Sequence, residues 1–306
     1  MSALKVLGGL TAVGAAGLAY AHLETKLFTL RRVSVPVLAA GERDVRVLHV
    51  SDLHLTPGQH RKIEWVRSLA ALEPDLVIDT GDNFAHPDSL DPLLHALEPL
   101  LERPGAFVMG SNDYYSPTFK NPARYLLPDA RGPVRRTPDL PADELAKALS
   151  AAGWADLSNR RDVVEVHGRP VALAGVDDPH IDRDEFPAPT GEPAEPLLRL
   201  GVTHAPYVRV LDRMHADGCD AIIAGHTHGG QLCLPFYGTL VTNCDIDRRR
   251  ARGLHGWPGA RPDADGGEDS TWLHVSAGAG TSPYAPVRFA CRPEATLITF
   301  TARGAS

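Results

Sequence analysis

The chain has 306 residues, of which 43% are hydrophobic and 23% charged, and its formal net charge is −7. This length predicts one large domain or two small ones, and the acidic balance excludes a general affinity for nucleic acid, so no nucleic-acid binding is expected. The four cysteines form no CxxC pair, which argues against a zinc knuckle or a thioredoxin-type motif and favours buried free thiols.

The N-terminal stretch is uncharged over residues 6–21, and the uncharged region ends at Glu24. It is short for a spanning helix, yet it suits a signal anchor. The small-x-small sequence at 19–21 suits a cleaved signal instead, and a buried or interfacial helix is the third reading. We expect residues 1–25 to be an anchor or signal segment that associates with a membrane through residues 6–23. Secretion or a cell-envelope location is the alternative, and the orientation stays open.

The following part of the chain alternates strands and helices at short spacing. Strands are predicted at 45–50, 76–79 and 106–109, with helices at 61–72 and 89–101. Each strand leads into polar residues: Asp52 and His54, then Asp82, then Asn112 and Asp113. This pattern indicates an α/β fold whose ligands bind beyond the carboxyl ends of the strands.

Residues 114–160 interrupt this rhythm with many prolines, and we predict an inserted cap-like region there that contains a helix at 141–152. Regular elements resume afterwards. We predict a hairpin at 163–176, strands at 198–203, 220–224, 272–276 and 295–301, a helix at 207–216, and a mobile loop at 247–269.

The sequence Gly225-His226-Thr227-His228 follows the strand predicted at 220–224. Alternate side chains of an extended backbone point the same way, so the two histidines can reach one site, while the glycine permits a close approach. Two converging imidazoles suggest a metal site; a pair of hydrogen-bonded loop histidines is the alternative.

Seven residues of metal-ligand type thus follow predicted strands. They are Asp52, His54, Asp82, Asn112, His204, His226 and His228. One octahedral ion needs about six ligands, whereas two ions that share a bridging ligand fit seven, with water completing their shells. The mixture of carboxylate, amide and imidazole without cysteine suits Mn, Fe or Zn better than calcium or a structural zinc.

These residues occur as D-x-H, G-D, N-D, H and G-H-x-H, in that order over residues 52–228. The set resembles the signature of the calcineurin-like metallophosphoesterase family. The later segments 275–282 and 287–294 resemble its bacterial, membrane-linked branch. The resemblance implies a four-layer αββα sandwich of two mixed β-sheets flanked by helices, in a single domain over 40–303.

The resemblance also implies two divalent metal ions (Mn, Fe or Zn) with Asp82 as a bridging and catalytic residue. Asp52, His54 and His228 would complete one site with Asp82. The other would contain Asn112, His204 and His226. The family cleaves phosphomonoesters or phosphodiesters by attack of a metal-bridging hydroxide, and the membrane-linked branch suggests an envelope or phospholipid substrate. The alternative is a non-catalytic scaffold of the same fold that binds a protein partner.

One position departs from the family pattern, because Asp113 stands where the family has a histidine after the asparagine. This carboxyl could act as a catalytic proton donor only if its pKa were raised; otherwise it caps the loop. The neighbouring Tyr114 either contacts the substrate or packs the loop.

Three other sets of polar residues have less specific interpretations. His180 is expected to be solvated, and Asp177-Asp178 to form a turn. The arginines at 248–250 and 252 are expected to be a solvated charge run, with a phosphate or an anionic membrane surface as the alternative. The oligomeric state stays open.

Overall fold

The computed structural model describes residues 3–119, 137–191 and 193–304. Over these ranges the chain forms helices and two large sheets. The helices are α1 (Ala3–Glu24), α2 (His60–Ser68), α3 (Leu90–Leu97), α4 (Ser111–Tyr114), α5 (Ala142–Ala151) and α6 (Val208–Ala216). The strands are β1 (Thr29–Leu38), β2 (Val45–Val50), β3 (Leu76–Asp79), β4 (Gly105–Phe107), β5 (Ala155–Asp156), β6 (Arg161–Val166), β7 (Arg169–Gly175), β8 (Leu198–Thr203), β9 (Ala221–Ala224), β10 (Cys233–Leu234), β11 (Gly238–Thr239), β12 (Gly253–Trp257), β13 (Thr271–Val275) and β14 (Glu294–Ala302).

The two large sheets are mixed, with six strands each. The first has the order β1-β14-β2-β3-β4-β5, and β2 to β5 run parallel. The second has the order β12-β13-β9-β8-β7-β6, in which the four central strands are parallel and the two edge strands antiparallel. The central strands β3 and β9 are short and buried along their whole length, as expected for parallel strands covered on both faces.

Apolar side chains form three clusters, one between the two sheets and one between each sheet and the helices that cover it. Between the sheets, Val47 and Ile78 of the first sheet pack in one cluster with Val202 and Trp272 of the second. A second cluster joins α2, α3 and α5 to the outer face of the first sheet, and a third joins α6 to the outer face of the second. The predicted αββα sandwich of two mixed sheets is confirmed.

The parallel strands bring their carboxyl ends to one edge of the sandwich. β2, β3 and β4 end beside each other in the first sheet, as β8 and β9 do in the second. Polar loops that follow these strands therefore converge, although they are far apart in the sequence.

The N-terminal region contains α1, and in the described chain no helix combines the length and apolar character that crossing a membrane requires. β1 pairs in parallel with β14, so the first sheet begins at Thr29, ahead of residue 40. Within the predicted cap-like region, residues 120–136 lie outside the described residues. The flanking α5 packs on the first sheet, and β5 extends its edge. The domain boundaries and the cap stay predictions.

Residues 247–269 differ from the predicted loop. β12 occupies Gly253–Trp257 and pairs antiparallel with β13 at the edge of the second sheet. Two of its five residues are glycines, so the segment lacks the alternating pattern that predicts a strand. It forms a strand because β13 supplies its backbone hydrogen-bond partners. The four cysteines are free thiols, and Cys219, Cys233 and Cys291 are buried, as expected.

Candidate metal centre

The candidate ligands converge at the carboxyl ends of the parallel strands. They form two groups in which all ligand atoms lie within 4.8 Å of one another. The first group is Asp52, His54, Asp82 and His228; the second is Asp82, His204 and His226. Asp82 belongs to both groups, so its carboxylate lies where a ligand shared by two neighbouring ions would have to lie.

Asn112 completes the set beside the shared carboxylate. Its backbone N–H donates to Oδ1 of Asp82 at 2.7 Å, and its side-chain amide reaches Oδ2 at 2.9 Å. The structure therefore brings all seven predicted residues together. The family-implied assignment of Asn112 to the second ion stays a prediction.

Backbone carbonyls orient three of the four imidazoles. His204 donates its Nδ1–H to the carbonyl of Thr80 at 2.7 Å, and His228 donates its Nδ1–H to Gly280 at 3.1 Å. His226 uses the other nitrogen, because its Nε2 lies 3.2 Å from the carbonyl of Asn243. The other nitrogen of each ring faces the site, and in His226 and His228 it carries a lone pair. Metal-binding histidines are commonly held by this kind of outer hydrogen bond.

The charge states also suit a cation. Burial lowers the pKa of His54 to about 4 and the pKa of His226 and of His228 well below the ordinary histidine value. These rings are therefore neutral, as metal ligands must be. Burial acts in the same direction on His204, but the negative charges of Asp82, Asp178 and Asp52 together outweigh it and help raise the pKa to about 10. These carboxylates thus attract a positive charge, which a metal ion could supply.

Close nitrogen pairs give a further indication of cation binding. Nε2 of His54 lies 3.1 Å from Nε2 of His228, and Nε2 of His204 lies 3.1 Å from Nδ1 of His226. Where both facing nitrogens are unprotonated, they carry lone pairs that repel each other unless a cation is shared between them. The donor set therefore fits a metal centre.

The backbone of the ligand loops is unusual. Asp52, His54, Asp82, His226 and His228 all have φ between 39° and 69°, in the left-handed region that non-glycine residues seldom adopt. Such conformations cost free energy and persist where surrounding contacts impose them, typically at functional sites.

Two glycines allow the loops to approach one another. A Cβ atom at Gly225 would collide with the side chains of Ser51 and Asp52, and one at Gly110 would collide with Asp82. Both positions therefore require glycine because of space at the ligands, and φ is not the reason.

Asp113 faces the backbone of the ligand loops. Its Oδ2 accepts N–H bonds from Gly110 and Asp82, both at 2.9 Å, and its Oδ1 accepts one from Asn83 at 2.8 Å. Burial and the charge of Asp82 raise the pKa of this carboxyl, whereas the donors at Gly110 and Asn83 act in the opposite direction. This geometry is that of a loop brace. The catalytic role stays a prediction.

Tyr114 is packed within the loop that follows Asp113. Its hydroxyl donates to the carboxylate of Asp177 at 2.9 Å, and the guanidinium of Arg183 lies 4.1 Å from its ring centroid. One face of the ring is thus already covered, and substrate contact by Tyr114 stays a prediction. The predicted turn is present, because Asp178 accepts from the N–H of His180 at 2.8 Å.

His180 departs from the expected solvated loop residue. Its ring is partly buried, with its centroid 4.4 Å from that of His226, and its Nδ1 lies 3.0 Å from the hydroxyl of Tyr207. The expectation of a solvated ring was wrong because the loop folds back over the metal-binding segment, which the local sequence does not indicate.

Arg288 is a site residue that sequence reasoning missed. Its guanidinium is fully buried beside His228 and donates to the carbonyls of Ala277 and Gly280, both at 2.7 Å. It thereby holds the same carbonyl of Gly280 that orients His228. No sequence pattern marks an arginine as buried, and the segment 287–294 that contains Arg288 is distinguished only by its resemblance to the membrane-linked branch of the family.

Comparison with known proteins agrees with this geometry. A family model described as calcineurin-like phosphoesterase matches residues 45–230, a range that includes every candidate ligand. An uncharacterized metallophosphoesterase of Aquifex aeolicus is 26% identical over 94% of this chain and 97% of its own length. Phosphodiesterase YaeI of Escherichia coli is 26% identical over 94% of each chain. UDP-2,3-diacylglucosamine pyrophosphatase LpxG of Chlamydia muridarum is 24% identical over 90% of each chain.

Proposed function

The chain belongs to the calcineurin-like phosphoesterase family, and on that premise we propose that it is a phosphodiesterase that works with two divalent metal ions. The observation that carries this proposal is the pair of ligand groups that share Asp82. A carboxylate has two oxygens and can serve two ions at once, whereas each imidazole offers one nitrogen to the site. Hydrolysis of phosphoesters is the family activity. The number of ions and the diester substrate are the proposal.

The residues of the chain prepare the site for an anionic substrate. Asp52 and Asp82 are the only carboxylates in the two ligand groups, and the histidines other than His204 are neutral. Two divalent ions would therefore leave the centre with net positive charge that attracts a phosphate ester. When bound, such ions supply an acidified water and charge that neutralises the phosphoryl oxygens.

Two observations support a diester over a monoester. The relative YaeI carries the name phosphodiesterase. In this chain, Asp113 stands at the position of the family histidine, and both its oxygens are occupied by backbone N–H donors. A leaving group that needs little protonation would tolerate that arrangement.

Hydrolysis of a chromogenic phosphodiester, bis(p-nitrophenyl) phosphate, with added Mn²⁺ tests the proposal. The wild-type protein should hydrolyse it, and Asp82→Ala should lose at least about 100-fold in rate, since even partners outside the ligand shell are worth 10- to 100-fold. The matched control is Asp88→Ala, whose side chain is 84% exposed. An inactive wild type, or undiminished activity in Asp82→Ala, would refute the proposal.

Metal content separates the enzyme from a scaffold of the same fold. Elemental analysis should give about two ions per wild-type chain, as the ligand groups suggest. His228→Ala and His204→Ala should each retain about one ion, because they belong to different groups. A chain purified and dialysed against Mn²⁺ that holds no metal would favour the scaffold.

A further inference from the structure

Exposed apolar side chains are concentrated on one part of the surface. Of the twelve large apolar side chains exposed in the described chain, ten lie in three segments, and the other two are Phe119 and Val163. The ten are Val13, Leu18, Tyr20 and Leu23 of α1, Leu232, Leu234, Phe236, Tyr237 and Leu240 around the β10–β11 hairpin, and Tyr284. We call these ten residues the apolar face.

Hydrogen bonds and ring contacts join the three segments. Leu232 and Phe289 form a β-bridge, and the ring of Tyr20 packs edge-on against Phe289 with centroids 5.7 Å apart. Gln231 donates to the carbonyls of Ala285 and Val287 at 2.7 and 2.9 Å. The hairpin, the loop containing Tyr284 and the end of α1 therefore lie side by side.

α1 is uncovered along much of its length. Every residue from 11 to 20 is exposed, and none of them carries a charge. A helix that is apolar all round is normally covered by protein or lipid. None of the described residues covers this stretch.

The tip of the hairpin carries the clearest sign of an external partner. Phe236 is fully exposed, and its φ of 67° lies in the left-handed region. A bulky aromatic residue in that conformation costs free energy, and exposure of its ring to water adds to the cost. No packing within the described residues offsets either cost, so the ring is placed for contact with something outside the chain.

Cations lie beside the apolar face although the whole chain has a net charge of −7. The guanidinium of Arg248 lies 4.9 Å from the ring centroid of Tyr237 and donates to its hydroxyl at 2.6 Å. Arg249, the next residue, is exposed. A second pair of exposed cations consists of Lys26, which follows α1, and Arg292, which follows Cys291. The N–H of Cys291 donates to Glu24 at 2.7 Å, which places this second pair of cations near the base of α1.

A cavity of about 600 Å³ opens next to these arginines. Arg248, Arg249, Arg250, His255 and Arg261 contribute to its lining, together with a single acidic residue, Asp247. Arg250 and Arg261 are already paired with Asp247 and Asp263, whereas Arg248 contacts Tyr237 of the hairpin and Arg249 is exposed beside it in the chain. The arginine-lined side of the cavity can bind an anionic group about the size of a lipid headgroup.

We propose that the apolar face docks on the surface of an anionic lipid bilayer. The hairpin and α1 would lie in the interface, the tyrosines at its polar level, and the arginine-lined cavity against phosphate headgroups. The metal-binding loop runs directly into this hairpin, because His228 precedes Leu232 by four residues. Docking does not require hydrolysis. If the chain is a phosphodiesterase, as proposed above, docking would place its metal centre near lipid phosphoesters, so a lipid substrate rests on the proposed function.

A bilayer fits this surface better than a second copy of the chain does. In a symmetric dimer the same patch meets itself, which would bring Arg248 and Arg249 of both copies into one interface with no added negative charge. An anionic bilayer instead offers opposite charge beside an apolar interior, which matches the mixture of arginine, tyrosine and leucine on this face.

Sedimentation of the full chain with vesicles tests the proposal. Binding to phosphatidylglycerol vesicles should exceed binding to phosphatidylcholine vesicles and should weaken with salt. Phe236→Asn should lower the partition coefficient about tenfold, since it removes one aromatic side chain that the bound protein would bury in the bilayer. Asparagine tolerates the left-handed backbone, so this variant should fold normally. The matched control, Phe119→Asn, changes the same residue type outside the apolar face and should bind as the wild type does.

Charge reversal provides a second arm. Arg249→Glu should weaken binding to phosphatidylglycerol about tenfold and leave the weaker binding to phosphatidylcholine unchanged. No binding to either vesicle, or full binding by Phe236→Asn, would overturn the proposal. So would a concentration-dependent dimer that Phe236→Asn abolishes, with no vesicle binding. Asp82→Ala should bind vesicles like the wild type, so a failure of the phosphodiesterase proposal would be recognised separately.

Discussion

Asp113 shows how a single substitution relative to a family pattern can change a residue's task. A histidine at this position would present a titratable nitrogen, whereas the aspartate accepts backbone N–H bonds from Gly110, Asp82 and Asn83. One of these donors belongs to the shared ligand itself. The carboxylate therefore acts on the metal centre through the position of the Asp82 backbone.

Asp113→Asn should destabilise the protein and weaken metal binding, and it should leave the shape of the pH–rate profile unchanged. The amide would point an NH₂ group at backbone N–H donors, and such an unsatisfied buried contact costs about 1–3 kcal/mol. Chemical unfolding and metal titration measure these effects, with the exposed Asp88→Asn as control. If Asp113→Asn kept its stability and metal but lost activity together with the alkaline limb of the profile, Asp113 would be a proton donor.

At the scale of elements, the segment after β9 depends on how closely it approaches the segment after β2. The N–H of His226 donates to the Asp52 carboxylate, with both oxygens within 3.1 Å. The preceding Gly225 has no room for a side chain because Ser51 and Asp52 fill the space. The two sheets are therefore joined at the metal centre through a contact that one methyl group would disrupt.

Gly225→Ala should lower metal affinity at least about tenfold and reduce the free energy of unfolding by about 1–3 kcal/mol, the usual cost of overpacking. Gly58→Ala is the matched control, because its Cβ would meet no atom within 4 Å and its φ is not left-handed. Metal titration followed by calorimetry and thermal unfolding would check both variants. Unchanged affinity in Gly225→Ala would show that the loops can separate without losing the ions.

At the scale of the whole molecule, two histidines meet between the sheets. Nδ1 of His49 on β2 lies 3.2 Å from Nδ1 of His274 on β13, and both rings are buried. Burial lowers the pKa of His274 to about 3 and the pKa of His49 well below its ordinary value. The folded protein keeps both rings neutral, whereas the unfolded chain takes up protons below about pH 6.5.

The contribution of these two histidines to the free energy of unfolding should therefore fall as the pH drops below about 6.5, because their unfolded forms bind more protons there. Between pH 6.5 and 5.0, the loss from His274 should be about 1.5 kcal/mol. His274→Gln keeps a polar partner for His49 and should show a correspondingly shallower decline. Chemical unfolding of both proteins at several pH values, with chelator present throughout, measures this difference. Equal declines would place the acid sensitivity elsewhere.

Local patterns were sufficient for most of the secondary structure, whereas the four-layer sandwich was expected only from the family resemblance. β2, β3 and β8 have the bounds that the sequence predicts, and the helices differ by a few residues at their ends. β12 and the β10–β11 hairpin were not predicted, because glycine-rich segments carry no strand pattern and pair only where a neighbouring edge is available.

The amino-acid sequence by itself determined the ligand types and their order, from Asp52 to His228, because the chemistry of metal binding limits which side chains can serve and strands end where polar residues begin. The tertiary structure alone decided that Arg288 is buried beside His228, that His180 packs against His226, and that α1 lies beside the hairpin. Each of these relations joins residues distant in sequence, and their contacts depend on how the two sheets pack.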